Sequence, residues 1–261
     1  MRRCLLVPVL LGACHGDPPP PAPPPANVPV TATTAPPEAF GSGGHAQERK
    51  GTLPLTPPMQ FALLGTDGSF DEEAQMVVFD LNRDGSLDTS SLDSDELYRN
   101  FEKNVTIDGK DYAFAVAHDG GSLTLTPLGK KLPPRISLRA GAPAPDFTAT
   151  TLEGGTVKLS ELRGKPVVLD FWSKTCLPCL RSMPFVEELP AKGFEVVSIA
   201  DADGGDVAEL VRGHPGHHVV DYGTIETLYR IDRFPTYFLV DRAGTIACSR
   251  CPLPKIQDAQ P

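Results

Sequence analysis

Apolar positions change their spacing along this chain, and the changes predict where one kind of structure gives way to another. Between about 59 and 138 the runs are short, as in Gln75-Met76-Val77-Val78-Phe79, Asp111-Tyr112-Ala113-Phe114-Ala115-Val116 and Ser122-Leu123-Thr124-Leu125-Thr126. Turn signals at Asp108-Gly109 and Asp119-Gly120-Gly121 break them up, which is the pattern of a small β-rich module over 59–139. After Ala140 helical and strand patterns alternate. A hairpin is expected over 146–159, a largely apolar, buried central strand over 167–171, an amphipathic helix to about 189 and a buried strand over 194–200. A crossover helix over 205–211, a strand over 218–221, a short helix over 224–229 and a strand opening near Pro235 continue an α/β fold. The turn Asp241-Arg242-Ala243-Gly244 then leads to an antiparallel edge strand over 245–248.

The first part of the chain reads differently. Arg2 and Arg3 precede an apolar run over 5–11 that is too short to span a bilayer, the pattern of a targeting segment over 1–14. From 15 to 58 proline, alanine, threonine and glycine dominate, as in Pro18-Pro19-Pro20-Pro21-Ala22-Pro23-Pro24-Pro25. Such a segment buries too little apolar surface to fold, and we expect a disordered, partly polyproline II tether. The 28 prolines in 261 residues thus reflect a chain that joins a globular part to an extended one. A net charge of -9 with no Lys/Arg cluster beyond the start argues against a nucleic-acid partner.

Chemistry concentrates between Pro166 and Pro184. The apolar strand runs straight into Cys176-Leu177-Pro178-Cys179, and a helix follows. Free backbone N–H groups and the positive end of the helix dipole favour a thiolate there, so Cys176 is the expected nucleophile and Cys179 the resolving thiol. Pro178 costs little in a first helical turn. Zinc would call for a second ligand pair at matching spacing, and the strand-Cys-x-x-Cys-helix context points to redox chemistry.

Two other clusters invite metal. Asp80, Asn82, Asp84, Ser86 and Asp88, with Gly85 at the sixth position, match the first nine positions of a calcium loop. The twelfth is Ser91, so calcium would need Asp93, Asp95 or Glu96 to replace the bidentate glutamate, and an Asx-rich turn is the competing reading. His214, His217 and His218 flank Pro215-Gly216, a loop expected to leave them solvated.

The motif Asp170-Phe171-Trp172 before Cys-x-Pro-Cys resembles a thioredoxin-fold active site, and Pro184 matches that family's helix-kinking proline. Ala142-Pro143-Ala144-Pro145-Asp146-Phe147 and Gly155-Thr156-Val157-Lys158-Leu159-Ser160-Glu161-Leu162-Arg163-Gly164-Lys165 resemble the TlpA-like branch of envelope thiol:disulfide oxidoreductases. The similarity spans about 140–246, within a thioredoxin-like domain set at 140–261. It implies an oxidoreductase that exchanges disulfides with protein substrates, mainly as a reductant with an antioxidant role. Such an enzyme uses a redox-active disulfide in place of a bound cofactor, calcium aside, and an upstream electron donor. It further implies that Asp170 moves a proton for the resolving thiol, and that Phe234 with a cis Pro235 binds substrate alongside Trp172 and Pro178. Thr175 stands where relatives commonly carry tryptophan, and Phe234 where many carry a smaller residue. A peroxiredoxin is disfavoured because no Pro-x-x-x-Thr-x-x-Cys pattern frames either cysteine.

Leu11-Gly12-Ala13-Cys14 resembles a bacterial lipobox, which implies lipid on Cys14 and a membrane-anchored lipoprotein of the cell envelope facing the periplasm or exterior. The alternative function is a non-catalytic binding module, with the calcium-like β module docking a partner. At the other end, Ser249-Arg250-Cys251-Pro252-Leu253-Pro254 replaces the helix that usually closes the fold, so that helix is expected to be missing and its sheet face covered by the β module or a partner. Cys248 and Cys251 repeat the two-residue spacing and are expected as a structural disulfide or, alternatively, a second redox pair.

Overall fold

The computed structural model of the chain describes residues 28–36, 38–40, 46–65, 76–87, 96–99, 102–202 and 206–260. The targeting segment with Cys4 and Cys14, the proline-rich start of the tether, Asp88 and Ser91 lie outside the described residues.

Nine strands build the first unit: β1 (Val30–Thr33), β2 (Glu38–Phe40), β3 (Ala46–Leu53), β4 (Met59–Gly65), β5 (Met76–Phe79), β6 (Leu97–Arg99), β7 (Asn104–Ile107), β8 (Lys110–Val116) and β9 (Ser122–Pro127). They form two antiparallel sheets, ordered β1-β9-β8-β7 and β2-β3-β4-β5-β6. Inward residues of both, among them Phe61, Leu63, Val77 and Phe79 from one and Val105, Phe114, Leu123 and Leu125 from the other, share one core, so the unit is a β-sandwich. Gly51 faces Phe61 across β3 and β4, and a Cβ at that position would come within 2.5 Å of the phenylalanine ring. The aromatic ring fills the place of the absent side chain.

The expected tether is corrected over its second half. Residues 30–33, 38–40 and 46–53, placed in a disordered linker by composition, form β1, β2 and β3 of the sandwich. The reason is non-local. Val30 and Ala32 face inward while Thr31 and Thr33 face out, and β1 finds its hydrogen bonds on β9, some ninety residues away. Local composition carries no trace of a partner so far along the chain.

The calcium expectation is not supported. Among the described residues no three His, Cys, Asp or Glu side chains group as a metal site. The loop instead bonds within itself: Asn82 Oδ1 accepts from Asp84 N, Asp84 Oδ1 from Ser86 N, and Asp80 Oδ2 from Gly85 N. This is the Asx-rich turn between β5 and β6.

The second unit holds β10 (Thr148–Thr150) and β11 (Thr156–Lys158) as a hairpin, then β12 (Val167–Trp172), α1 (Leu177–Glu187), β13 (Glu195–Asp201), α2 (Ala208–Val211), β14 (His217–Asp221), α3 (Thr224–Leu228), β15 (Thr236–Val240), β16 (Ile246–Cys248) and α4 (Leu253–Gln257). The main sheet runs β14-β13-β12-β15-β16, parallel from β14 to β12 and antiparallel beyond. This is a thioredoxin-like fold. β12 lies at its centre with all six residues buried, which explains a run that is apolar except for Asp170. One face packs Leu169 and Phe171 against Tyr229, Ile225 and Phe147, and the other packs Val168 and Val196 against Val186 and Leu189.

Two expectations change here. A C-terminal helix is present, although short: Pro252 is its N-cap and Pro254 sits in its first turn, where a missing N–H costs no intrahelical bond. Its fully buried Ile256 joins Val168, Leu189 and Tyr237, so that sheet face is closed by the chain itself. The histidines are not a solvated loop either. His218 is buried on β14 with its Nε2 3.2 Å from His214 O, and His214 pairs with Glu187 of α1 at 3.1 Å.

Candidate active site

The site lies where the buried central strand ends. Ser173 stays buried, Lys174 and Thr175 emerge, and Cys176 N donates to Ser173 O at 3.1 Å. That turn places Cys176 at the N-cap of α1, with extended backbone and with its sulfur accepting from Cys179 N at 3.2 Å. Cys176 and Cys179 are joined as a disulfide with Cα atoms 5.2 Å apart. Their exposure separates them: Cys179 is 2% exposed, whereas Cys176 is half-buried at the surface. A helix N-terminus presents unpaired N–H groups to an incoming anion, so a thiolate is stabilised at Cys176 once the bond is reduced. Pro178 occupies the second helical position and Pro184 lies inside the helix.

Asp170 sits on β12 at 7% exposure, with Ser198 Oγ donating to its Oδ2 at 3.2 Å. Burial pushes its carboxyl up to about 7, against the opposing pull of that hydrogen bond. A carboxyl with that value takes up or gives a proton near neutrality. Across the antiparallel pairing Asp170 faces Tyr237, whose hydroxyl donates to Ser182 Oγ at 2.8 Å, and Ser182 in turn donates to Cys179 O at 2.8 Å. Burial first, and the charge of Asp170 second, hold the Tyr237 phenol above its ordinary range. Ser182, Ser198 and Tyr237 escaped the sequence reading. Ser198 was legible in principle, because it aligns with Asp170 once β12 and β13 are paired in parallel.

The Phe234–Pro235 peptide bond is cis, as expected, at the start of the strand that flanks β12. Phe234 packs into the apolar cluster that contains Trp172, Cys176 and Cys179. Trp172 requires a correction, since at 2% exposure it backs the disulfide from inside and offers no face to a substrate. Leu177, at 64% exposure, is instead the large apolar side chain presented beside the sulfurs. Lys174 Nζ is bonded to Asp206 O at 2.8 Å. Cys248 and Cys251 form a second disulfide at the far end of β16, buried among Val186, Tyr237 and Ile256.

Residues 140–249 match the family described as AhpC/TSA. A thiol-disulfide oxidoreductase ResA of Bacillus cereus is 36% identical over 118 residues, covering 42% of this chain and 68% of that protein. The thioredoxin-like protein YneN of Bacillus subtilis is 29% identical over 120 residues, covering 42% and 71% respectively. Among solved structures, a putative thiol:disulfide interchange protein DsbE from Chlorobium tepidum is 38% identical over 43% of this chain and 84% of its own, with a TM-score of 0.39.

Proposed function

Because this chain belongs to the thioredoxin-like AhpC/TSA family, with thiol-disulfide oxidoreductases such as ResA as relatives, it is an oxidoreductase of that kind, and we propose that Cys176 and Cys179 carry its exchange with protein substrates. The observation that carries the proposal is the asymmetry of the pair: a half-buried Cys176 at a helix N-cap, bonded to a buried Cys179, with Phe234 of the cis Phe234–Pro235 bond packed in the same cluster.

In the reducing direction the Cys176 thiolate attacks one sulfur of a substrate disulfide, and the other substrate sulfur leaves as a thiolate. Cys179 then loses its proton, with Asp170 as acceptor, and attacks the Cys176 sulfur of the mixed disulfide. The second substrate thiolate departs, two electrons have passed to the substrate, and the Cys176–Cys179 disulfide remains. An upstream dithiol donor must return it to the reduced state. Phe234 and Pro235 bind the substrate backbone, Pro178 and Leu177 border it, and Trp172 supports the disulfide from beneath. No bound cofactor enters this cycle.

We assign catalysis to 140–261, with the sandwich before it and the proline-rich segment as a tether. The lipobox at Leu11-Gly12-Ala13-Cys14 supports export and lipidation of Cys14, which would place the enzyme on a membrane of the cell envelope. The test of the catalytic reading is capture. A Cys179→Ala variant should accumulate substrate proteins as mixed disulfides on Cys176, and Cys176→Ser should not. Equal capture by both variants would refute it. Partition of Cys14→Ser with membranes as in the parent protein would refute the anchor.

A further inference from the structure

Ahead of the cis proline the chain passes through a cluster of ion pairs that the exchange cycle does not use. Asp232, three residues before Pro235, accepts from Arg99 Nε at 2.7 Å on one side and from Arg250 Nη1 at 2.7 Å on the other. Arg233 Nε lies 3.5 Å from the same carboxylate. Arg99 comes from β6 of the sandwich, and Arg250 is one of the two residues enclosed by the Cys248–Cys251 disulfide. The side chains of Arg99 and Arg250 are 4% and 10% exposed. Burial alone would raise the Asp232 carboxyl, but Arg250 and Arg99 reverse this and hold it below the usual range. Ion pairs buried this far fix one geometry, because removing a member leaves its partner's charge without compensation.

The backbone points the same way. Arg250 has φ of +46°, in the left-handed region that residues with a Cβ seldom adopt. Cys251 N donates to Tyr237 O at 2.8 Å, and Cys248 pairs with Leu239, so both ends of the disulfide ring are stitched to β15. That is the strand which begins at the cis proline. The ring thus turns Arg250 back over the approach to Pro235, where its other terminal nitrogen also reaches Arg230 O.

We propose that Arg250 is a positioning residue for the cis-proline loop, and that the Cys248–Cys251 disulfide serves exchange by holding this arginine on Asp232, with the sandwich contributing Arg99 to the same anchor. The inference rests on the substrate role assigned above to Phe234 and Pro235. Arg250 touches neither substrate nor sulfur. It acts by keeping the 232–235 segment in the form that an extended, cysteine-bearing peptide must meet, which lowers the ordering cost of binding.

The test is the single-turnover reaction of the oxidised full chain with a short peptide dithiol over a range of concentrations, and separately with dithiothreitol. Trp172, the chain's single tryptophan, lies in the Cys179 cluster and reports reduction by its fluorescence. Arg250→Gln should raise the half-saturating peptide concentration about tenfold, with the maximal rate and the dithiothreitol reaction unchanged. Arg250→Lys should recover part of the loss. Asp232→Asn and the double variant Cys248→Ser, Cys251→Ser should shift half-saturation the same way. Unchanged half-saturation in Arg250→Gln and Asp232→Asn would overturn the proposal. So would a double cysteine variant that keeps half-saturation but slows the maximal rate, which is the signature of an electron relay. Failure of the underlying catalytic reading looks different: the parent chain would then give no tryptophan change with either dithiol.

Discussion

Cys176–Cys179 and Cys248–Cys251 share a spacing and a bond, and almost nothing else. The first pair opens an eleven-residue helix, with Cys176 as its cap and part of its surface open to solvent. The second closes a strand, with its cysteines 9% and 2% exposed and apolar residues around them. The N-terminus of an eleven-residue helix faces the Cys176 sulfur, whereas Cys248 ends a strand and Cys251 lies buried one residue before the proline cap of the five-residue α4. Spacing therefore sets only whether two cysteines can bond, and the backbone around them sets whether the bond is offered to a partner.

Removing one pair at a time puts this contrast under the most strain. Cys176→Ser should lower the rate of disulfide exchange by at least about a thousandfold, whereas Cys248→Ser with Cys251→Ser should leave the reaction with dithiothreitol intact. Comparable losses in both variants would make the two pairs one relay. Alkylation of the fully reduced chain near neutral pH gives a second measure. Cys176 should be modified about a hundredfold faster than Cys248 or Cys251, as read by mass spectrometry of peptides over time. Equal rates would remove the distinction drawn from the helix terminus.

Asp170 approaches the same contrast from the proton side, because it is a buried carboxyl on the strand that leads into the first pair. Asp170→Asn should slow resolution of the mixed disulfide about tenfold at pH 7. It should also stabilise the protein in alkaline solution, and the sign follows from linkage. A folded-state pKa of about 7, above the ordinary 3.8, means that the wild-type contribution is fully present below 3.8 and is lost as pH rises through 7. Asparagine escapes that loss, so the variant should gain up to about 4 kcal/mol at pH 8 and nothing near pH 3, as read by denaturant unfolding. A gain independent of pH would show that burial of the charge is not the cause. The mildest change is in melting. Opening the short Cys248–Cys251 loop removes roughly 2 kcal/mol of constraint on the unfolded chain, a fall in Tm of about 5 °C. No fall would leave the second bond without a structural role.

Much of the catalytic unit could be read from the residues because its signals are local. The apolar run 167–171, the two cysteines and the cis-proline strand each sit within a few residues of the feature they determine, and the hairpin, β13, β14 and α3 fall close to their expected places. The family match over 140–249 follows the same stretch that the resemblance covered. Where reading failed, the deciding contact lay far along the chain. Residues 30–33 and 46–53 look like linker until β9 and β4 supply their hydrogen-bond partners. The prolines at 252 and 254 read as helix breakers until their positions at the cap and first turn of α4 are known.

The order of residues was enough to locate the groups of the proposed chemistry: two cysteines at the start of a helix, and a carboxyl on the strand that leads into it. Helix starts and buried strands are spelled out by adjacent residues. The company those groups keep came from packing in three dimensions, which paired Ser198 with Asp170, buried Trp172 beneath the disulfide and folded half of an apparent tether into a sandwich. It also brought Arg99 and Arg250 onto Asp232 from positions 133 and 18 residues away in the chain. Burial and ion pairing depend on which surfaces meet in space, and a linear pattern of residues does not encode that meeting until strand register and packing fix it.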